Sequence, residues 1–306
     1  MKPKSIRTNL IICMLLPTVI AFALLGGTLT VYMNNISITD GNTNMRSAAE
    51  QTAESVDGIL NLIEARVNLL ASTSQIMADE NKIVAKDKEY FKEYEDKMNK
   101  VVIDSTKDIP GLVASYIRYD PALTYGTSGT FFTDADNDGK QEPVAPTDLS
   151  KYDPSDMEHV GWFYTPLKNK KSTWMEPYFN ANINKTIISY VTPIYLSSGK
   201  GFGVIGVDFD FAYLNRLLDA HQKFNEKECF LLNAKGKILF HPDYTKGENF
   251  GEILDGKYQK VLPELLSKKD GYVNGGSSRK AVLLGYHVLE NGWIIAIAPN
   301  HKAIYG

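Results

Sequence analysis

The stretch "NLIICMLLPTVIAFALLGGTLTVYM", residues 9–33, constrains this chain more than any other. It runs for 25 residues without a charge. A helix of that length, at ~1.5 Å per residue, crosses a ~30 Å hydrocarbon core. Lys2, Lys4 and Arg7 precede it, and Asp40 is the first charge after it. Cations on the near side keep residues 1–8 in the cytoplasm and send the chain from about 34 onward outside. Pro17 is tolerated in a spanning helix. A cleaved signal peptide is the competing reading. The apolar run exceeds the usual ~7–15-residue signal core, and no A-x-A cleavage site follows it. Either way most of the chain is extracytoplasmic, at the cell membrane.

The formal net charge of −3 divides into +3 over residues 1–33 and −6 over the rest. An acidic outer part has no electrostatic footprint for nucleic acid. With 43% hydrophobic and 23% charged residues the outer part is globular in composition. Cys13 lies in the anchor and Cys229 far along the outer part, so no internal disulfide is expected, and no Cys/His cluster has zinc spacing. Cys229 is expected to pack as a small buried hydrophobe.

Beyond the anchor, Val56, Ile59, Ile63, Val67, Leu70 and Met77 recur at helical intervals, with Ser74 interrupting them. They predict a long stalk helix within 34–82, starting near Asn42. A second helix is expected over 87–104, with Tyr90, Tyr94, Met98, Val101 and Val102 on one side and Pro110–Gly111 beyond its end. The period then becomes that of strands, in "LVASYIRYD", "STWMEPYFN", "TIISYVTPIYL" and "GFGVIGVDFDF". Turn-rich residues 121–160 read as a loop layer over the sheet. A short helix, "AYLNRLLDAHQK", is followed by further strands in "ECFLLNAKGKILFHP", "KAVLLGYHVL" and "GWIIAIAP". The fold class is α+β: the anchor, a long helix, and two helix-flanked antiparallel sheets over 83–212 and 213–300.

Chemical motifs are few. "GFGVIG", 201–206, matches a dinucleotide fingerprint, but a strand follows it where a helix is required, so it reads as a hairpin turn using Gly for positive φ. "DADNDG" places Asp134, Asp136 and Asp138 at alternate positions, as calcium loops do. The twelfth position of an EF-hand would be Ala145, which leaves a non-EF loop closed by Glu142 or a solvated turn. The five histidines are scattered and none stands in a nucleophile setting, so no enzyme activity and no cofactor are expected. Asp208 lies in "GVIGVDFDF" between apolar neighbours. Alternation puts it on one face with Asp210, as a carboxylate for a ligand ammonium and ionised at neutral pH.

The string "HVGWFYTPLKNKKSTWMEPYFN", then "ISYVTPIY" and "GVIGVDFDF", resembles the double Cache sensor domains of bacterial transmembrane receptors. The resemblance implies two stacked PAS-like modules, the membrane-distal one (83–212) binding a small ligand and the proximal one (213–300) leading to a second span from 301–306. It implies a homodimer in the lipid bilayer that serves a histidine kinase, diguanylate cyclase or chemotaxis output. No output domain is in this sequence, which points to a truncated receptor or a sensor-only protein. Carried over by position, Trp162, Phe163 or Tyr164, Tyr178, Asn180 and Asp208 form the ligand site. Asn180 and Val160 depart from the amino-acid-sensing pattern, standing where an Asp and the carboxylate-gripping Arg would be. The expected ligand is therefore an amine or another small polar metabolite, held beside Trp162 and Tyr164 after Gly161 in a loop, with Trp174 and Phe179 in the core. The rival readings are a tethered or secreted solute-binding protein and a calcium-binding extracytoplasmic module.

A reporter fused after Gly306 is expected outside the cytoplasm, with the chain in the membrane fraction. Recovery of a soluble mature form beginning near residue 34 would overturn the anchor.

Overall fold

The computed structural model describes residues 6–134, 139–180, 183–223, 227–241, 243–244, 246–267, 270–274 and 283–299. Anchor and stalk form one helix, α1, from Ile6 to Met77. The expected start near Asn42 is absent because nothing there breaks a helix. Gly41 costs only ~1 kcal/mol against Ala, and no proline lies beyond Pro17. Leu15–Met33 has no buried face. From Ala49 on, a stripe through Ala53, Val56, Leu60, Ile63, Val67 and Leu70 is buried. Leu60, not Ile59, continues it. Ser74 closes the stripe with polar chemistry. Tyr94 OH donates to Ser74 O (3.0 Å), so Ser74 Oγ donates to the tyrosine oxygen (2.6 Å).

Two capped helices follow. Asp79 caps α2 (Glu80–Val84) and Asp87 caps α3 (Lys88–Thr106), each accepting two main-chain N–H groups. Phe91, Tyr94, Met98, Val102 and Thr106 bury one side of α3.

The distal sheet contains β1 (Leu112–Tyr119), β2 (Gly129–Thr133), β3 (Glu142–Val144), β4 (Thr173–Trp174), β5 (Tyr178–Asn180), β6 (Lys185–Tyr195) and β7 (Gly201–Asp210). Every pairing is antiparallel, in the order β3-β2-β1-β7-β6-β4, with β5 also on β6. Helix α4 (Gly161–Asn169) lies between β3 and β4 in sequence, and α5 (Phe211–Lys223) leads out of β7. The proximal sheet has the order β10-β11-β12-β8-β9, from β8 (Lys227–Leu232), β9 (Ile238–Phe240), β10 (Asp270–Asn274), β11 (Leu283–Val288) and β12 (Ile294–Pro299). Between β9 and β10 sit the short helices α6 (Ile253–Gly256) and α7 (Leu262–Leu265). Helix α1 touches both sheets. Cys229 is fully buried, and His241, just past β9, stacks on Phe230 at 4.2 Å.

Three local expectations change. The run 172–180 splits into β4 and β5 around Glu176–Pro177, because proline has no N–H for the ladder. Phe179 is consequently 61% exposed instead of core. Trp174 turns to the other side of the sheet, where its Nε1 donates to Glu64 of α1 (2.6 Å) and its ring meets Trp293 of the proximal sheet (6.2 Å). Residues 121–160 contain β2 and β3 as well as loops. In "GFGVIG" the glycines serve contact, not turning. Gly199, before it, has the positive φ (82°), whereas a Cβ on Gly203 would sit 2.1 Å from Arg118 O and one on Gly206 2.7 Å from the Tyr116 ring. Asp136, Asp138 and the expected connection at 301–306 lie outside the described residues; Asp134 accepts Gly139 N–H (3.0 Å).

Since the atoms facing Gly203 are backbone and cannot step aside, Gly203→Ala is expected to destabilise the protein by on the order of 3 kcal/mol. Thermal unfolding of the full chain measures it. An unchanged midpoint would show that the strands are not this close.

Candidate ligand-binding site

Strand alternation gives β7 two different faces. Ile205, Val207 and Phe209 join the core formed with α1 and α3. Val204, Gly206 and Asp208 face the other way, level with Arg118, Tyr116 and Ala114 of β1, and Asp208 is also level with Ser189 of β6. Over this second face lie α4 and the segment before it, fastened by Leu149, Val160 and Phe163 against Tyr116, Val191 and Val204. Between sheet and cover is a cavity of about 480 Å³.

Its walls are aromatic. Phe131 stacks on Tyr116 (5.6 Å, 12°), and Trp162 meets Tyr116 edge-on (5.4 Å, 76°). The indole N–H is already used, donating to His159 O (3.0 Å), so Trp162 offers its ring and not a hydrogen bond. At one end Tyr178 OH is 3.0 Å from Ser189 Oγ, and Ser189 donates to Asp208 Oδ1 at 2.7 Å. One serine hydroxyl has one proton, so Tyr178 is the donor to Ser189, which in turn donates to the carboxylate. Asp208 is 1% exposed. Burial pushes its pKa up to about 7, with the Ser189 bond pulling the other way. Arg118 also lines the cavity, and burial lowers its pKa to about 10, which leaves it cationic. Thr147, Tyr152, Glu158, His159, Phe179 and Asn180 complete the lining. The His159 ring stacks on Tyr152 (5.1 Å) and pairs with Asp156 (2.9 Å).

Of the residues expected from sequence, Trp162, Tyr178, Asn180 and Asp208 meet here. Phe163 and Tyr164 do not. Residues 161–169 are a helix, not a loop, and a helix turns ~100° per residue, so only one of three neighbours faces the cavity. Phe163 is fully buried beneath α4, and Tyr164 faces an outer groove shared with Asp120, Lys168 and Tyr195. Asp210 accepts Ala212 N–H (2.7 Å) at the start of α5. Asp208 is only partly ionised near neutral pH, because burial raises its pKa to about 7. Tyr116, Arg118 and Phe131 were not foreseen. Their alternation on β1 and β2 was legible, but the register that aligns them with Asp208 was not.

Residues 34–306 match the family model for the Cache domain. The chain is similar to the methyl-accepting chemotaxis protein PscA of Pseudomonas syringae pv. tomato, 28% identical over 83 residues, which is 27% of this chain and 13% of that protein. That match thus spans about an eighth of the curated relative. In fold it is similar to the periplasmic sensory domain of the Campylobacter jejuni chemoreceptor Tlp1. That likeness has a TM-score of 0.65 and 16% identity, covering 88% of this chain and 98% of the other. It is also similar to the sensory domain of the Campylobacter jejuni chemoreceptor Tlp3 with isoleucine bound (TM-score 0.56, 15% identity, 91% and 97% covered). With two antiparallel sheets on one helix and every residue from 34 onward matched, this chain belongs to the Cache-domain family, in its double form.

Proposed function

We propose that this chain is the extracytoplasmic ligand-sensing part of a single-pass-anchored membrane receptor, and that it binds a small ammonium-bearing molecule in the distal module. The observation that carries this is Asp208, a buried carboxylate at the end of an aromatic cavity that, among the described residues, has the Ser189 hydroxyl and no cation to stabilise its charge. An uncompensated carboxylate in such surroundings is costly, and a ligand ammonium supplies the missing partner. Tyr116, Phe131 and Trp162 add the aromatic faces that attract cations. An amino acid bound to the similarly folded Tlp3 domain is consistent with a ligand of this kind. The module limits 83–212 and 213–300 belong to the same reading.

A route for the signal supports a receptor over a free solute-binding protein. Ser189 faces the cavity from β6, while its neighbours Tyr190 and Thr192 reach Asn68 of α1 from the opposite face (3.1 and 2.8 Å). Ligand binding that favours one position of β6 therefore biases α1, which is continuous with the anchor. The receptor is read as a homodimer. Ser55, Gly58, Leu62, Ala65, Leu69, Ser72 and Ile76 alternate in steps of three and four along α1, uncharged, with Leu69 63% and Ile76 84% exposed. That is the seam of a parallel helix pair, and two copies anchored in one membrane are parallel. Oxidation should link two copies of Ser72→Cys across this seam; failure to do so would place the contact elsewhere.

In a thermal-shift screen of the full chain in lipid nanodiscs, an amine or amino acid is expected to stabilise the protein. Asp208→Asn should weaken it roughly ten- to a hundredfold, and Trp162→Ala should weaken it as well. His241→Ala, in the proximal module, should leave the affinity unchanged. Undiminished binding to Asp208→Asn would put the site elsewhere.

The pH dependence follows from Asp208. An ammonium prefers the carboxylate, so affinity should rise as pH rises toward about 7 and level off above it, with the slope absent in Asp208→Asn. Stability of the ligand-free protein should run the other way. The raised pKa means that the folded state holds the proton more tightly, so stability present at low pH is lost as pH rises through about 7. Calorimetric titration and melting curves at pH 5 to 8 read both. Parallel slopes in the wild type and Asp208→Asn would refute the assignment.

A further inference from the structure

We infer that the cavity is shaped for an elongated zwitterion, an ω-amino carboxylate or peptide of about tripeptide length, with its ammonium at Asp208 and its carboxylate at Arg118. The inference rests on the ammonium reading above for one end and on Arg118 for the other. Arg118 is 1% exposed and lines the same cavity as Asp208. Its Nε donates to Ser128 O (3.1 Å), and its Nη2 to Gly126 O (3.1 Å) and Thr147 O (2.6 Å). None of these bonds uses Nη1. Carbonyl oxygens solvate a guanidinium but leave its charge in place. Asp148 and Glu95 are near enough for their charge to favour the guanidinium, but neither is in ion-pair contact with it: Asp148 Oδ1 receives the Ser150 hydroxyl and N–H, and Glu95 Oε1 receives Gly129 N–H. A ligand carboxylate would supply the direct partner that Nη1 lacks.

The register sets the length. Ala114 pairs with Asp208 and Arg118 with Val204, so the two charged residues stand four positions apart on neighbouring strands. At ~3.3 Å per residue that is about 13 Å. Ser128 and Gly126 lie just before Gly129, the β2 partner of Arg118, so these bonds draw the guanidinium toward β2, and β1 separates β2 from β7. The charges are thus on the order of 10 Å apart or more. In an α-amino acid two bonds of ~1.5 Å separate nitrogen from the carboxyl carbon, so its ends lie only ~2.5 Å apart. Even with a hydrogen bond of ~2.8 Å at each end it bridges only ~8 Å, short of holding both Asp208 and Arg118 at once. Two to three extended residues span ~7–10 Å at ~3.3–3.6 Å each, and a hydrogen bond of ~2.8 Å at either end completes the reach. Tyr116 stands between the charged ends on β1, and its aromatic neighbours offer flat apolar faces to methylenes or peptide planes.

Calorimetric titration of the full chain in nanodiscs tests this with paired probes: 8-aminooctanoate and its methyl ester, triglycine and triglycinamide, with glycine and octylamine for comparison. One or both acids should bind at least tenfold more tightly than their neutralised partners and than glycine, and the better of the two tells an ω-amino acid from a peptide. Arg118→Gln should bring the acid down to the level of its ester while the ester is unaffected, with a melting curve reporting the fold; if that variant does not fold, the acid and ester pair decides alone. Octylamine and ester binding as tightly as the acids, still dependent on Asp208, would overturn the Arg118 subsite and leave the ammonium reading intact. Loss of all dependence on Asp208 would overturn both.

Discussion

From Ala49 to Ser74, about every third or fourth residue of α1 is withdrawn from water, and both sheets depend on that stripe. One face of each sheet closes against this helix. Ile205, Val207 and Phe209 of the distal sheet, and Leu231, Ile295 and Ile297 of the proximal one, meet in one cluster with Val56, Leu60 and Ile63. Because the same helix continues through Leu15–Met33, the packing of both sheets on it also ties them to that apolar segment. The modules touch further at Trp174 with Trp293 and at Asn233 with Glu176 (2.8 Å), contacts that make each a neighbour of the other as well as of α1.

With one sheet face given over to α1 and α3, chemistry is confined to the other. There two opposite charges are buried in one cavity without being paired to each other. Asp208 has a serine and, through it, a tyrosine; Arg118 has three carbonyls. Hydrogen bonds lower the cost of burying each charge but do not cancel it, and Asp208 responds by holding its proton up to about pH 7. The segment 174–180 links this cavity to the module junction: Tyr178 and Asn180 line the cavity, while Trp174 and Glu176 reach α1 and the proximal sheet.

Much of this was legible in the residue order, because hydrophobic period is a local property. The anchor, the long helix, α3, the long strands and the hairpin at Asn233–Lys237 all follow from apolar residues recurring at intervals of two or of three to four, broken by Gly and Pro. Asp208 stood out for the same reason, as a lone acid among apolar neighbours. Errors came where local pattern and tertiary context disagree. "GWFYTPLKN" has the aromatics and proline of a loop, yet it folds as a helix because Val160 and Phe163 have a sheet surface to bury against. "STWMEPYFN" has the composition of one strand and is divided by Pro177.

The sequence by itself determined the apolar N-terminal helix, the two α+β units and the carboxylate at 208, because charge, hydropathy and period depend only on neighbours along the chain. Tertiary structure alone decided which aromatics became a cavity wall and which became core, and that Arg118, ninety residues before Asp208, shares that cavity. The reason is register. A shift of one residue between β1 and β7 would turn Arg118 and Tyr116 to the helix side. That register is held by long-range contacts: Gly203 against the backbone of Arg118, and Gly206 under the ring of Tyr116.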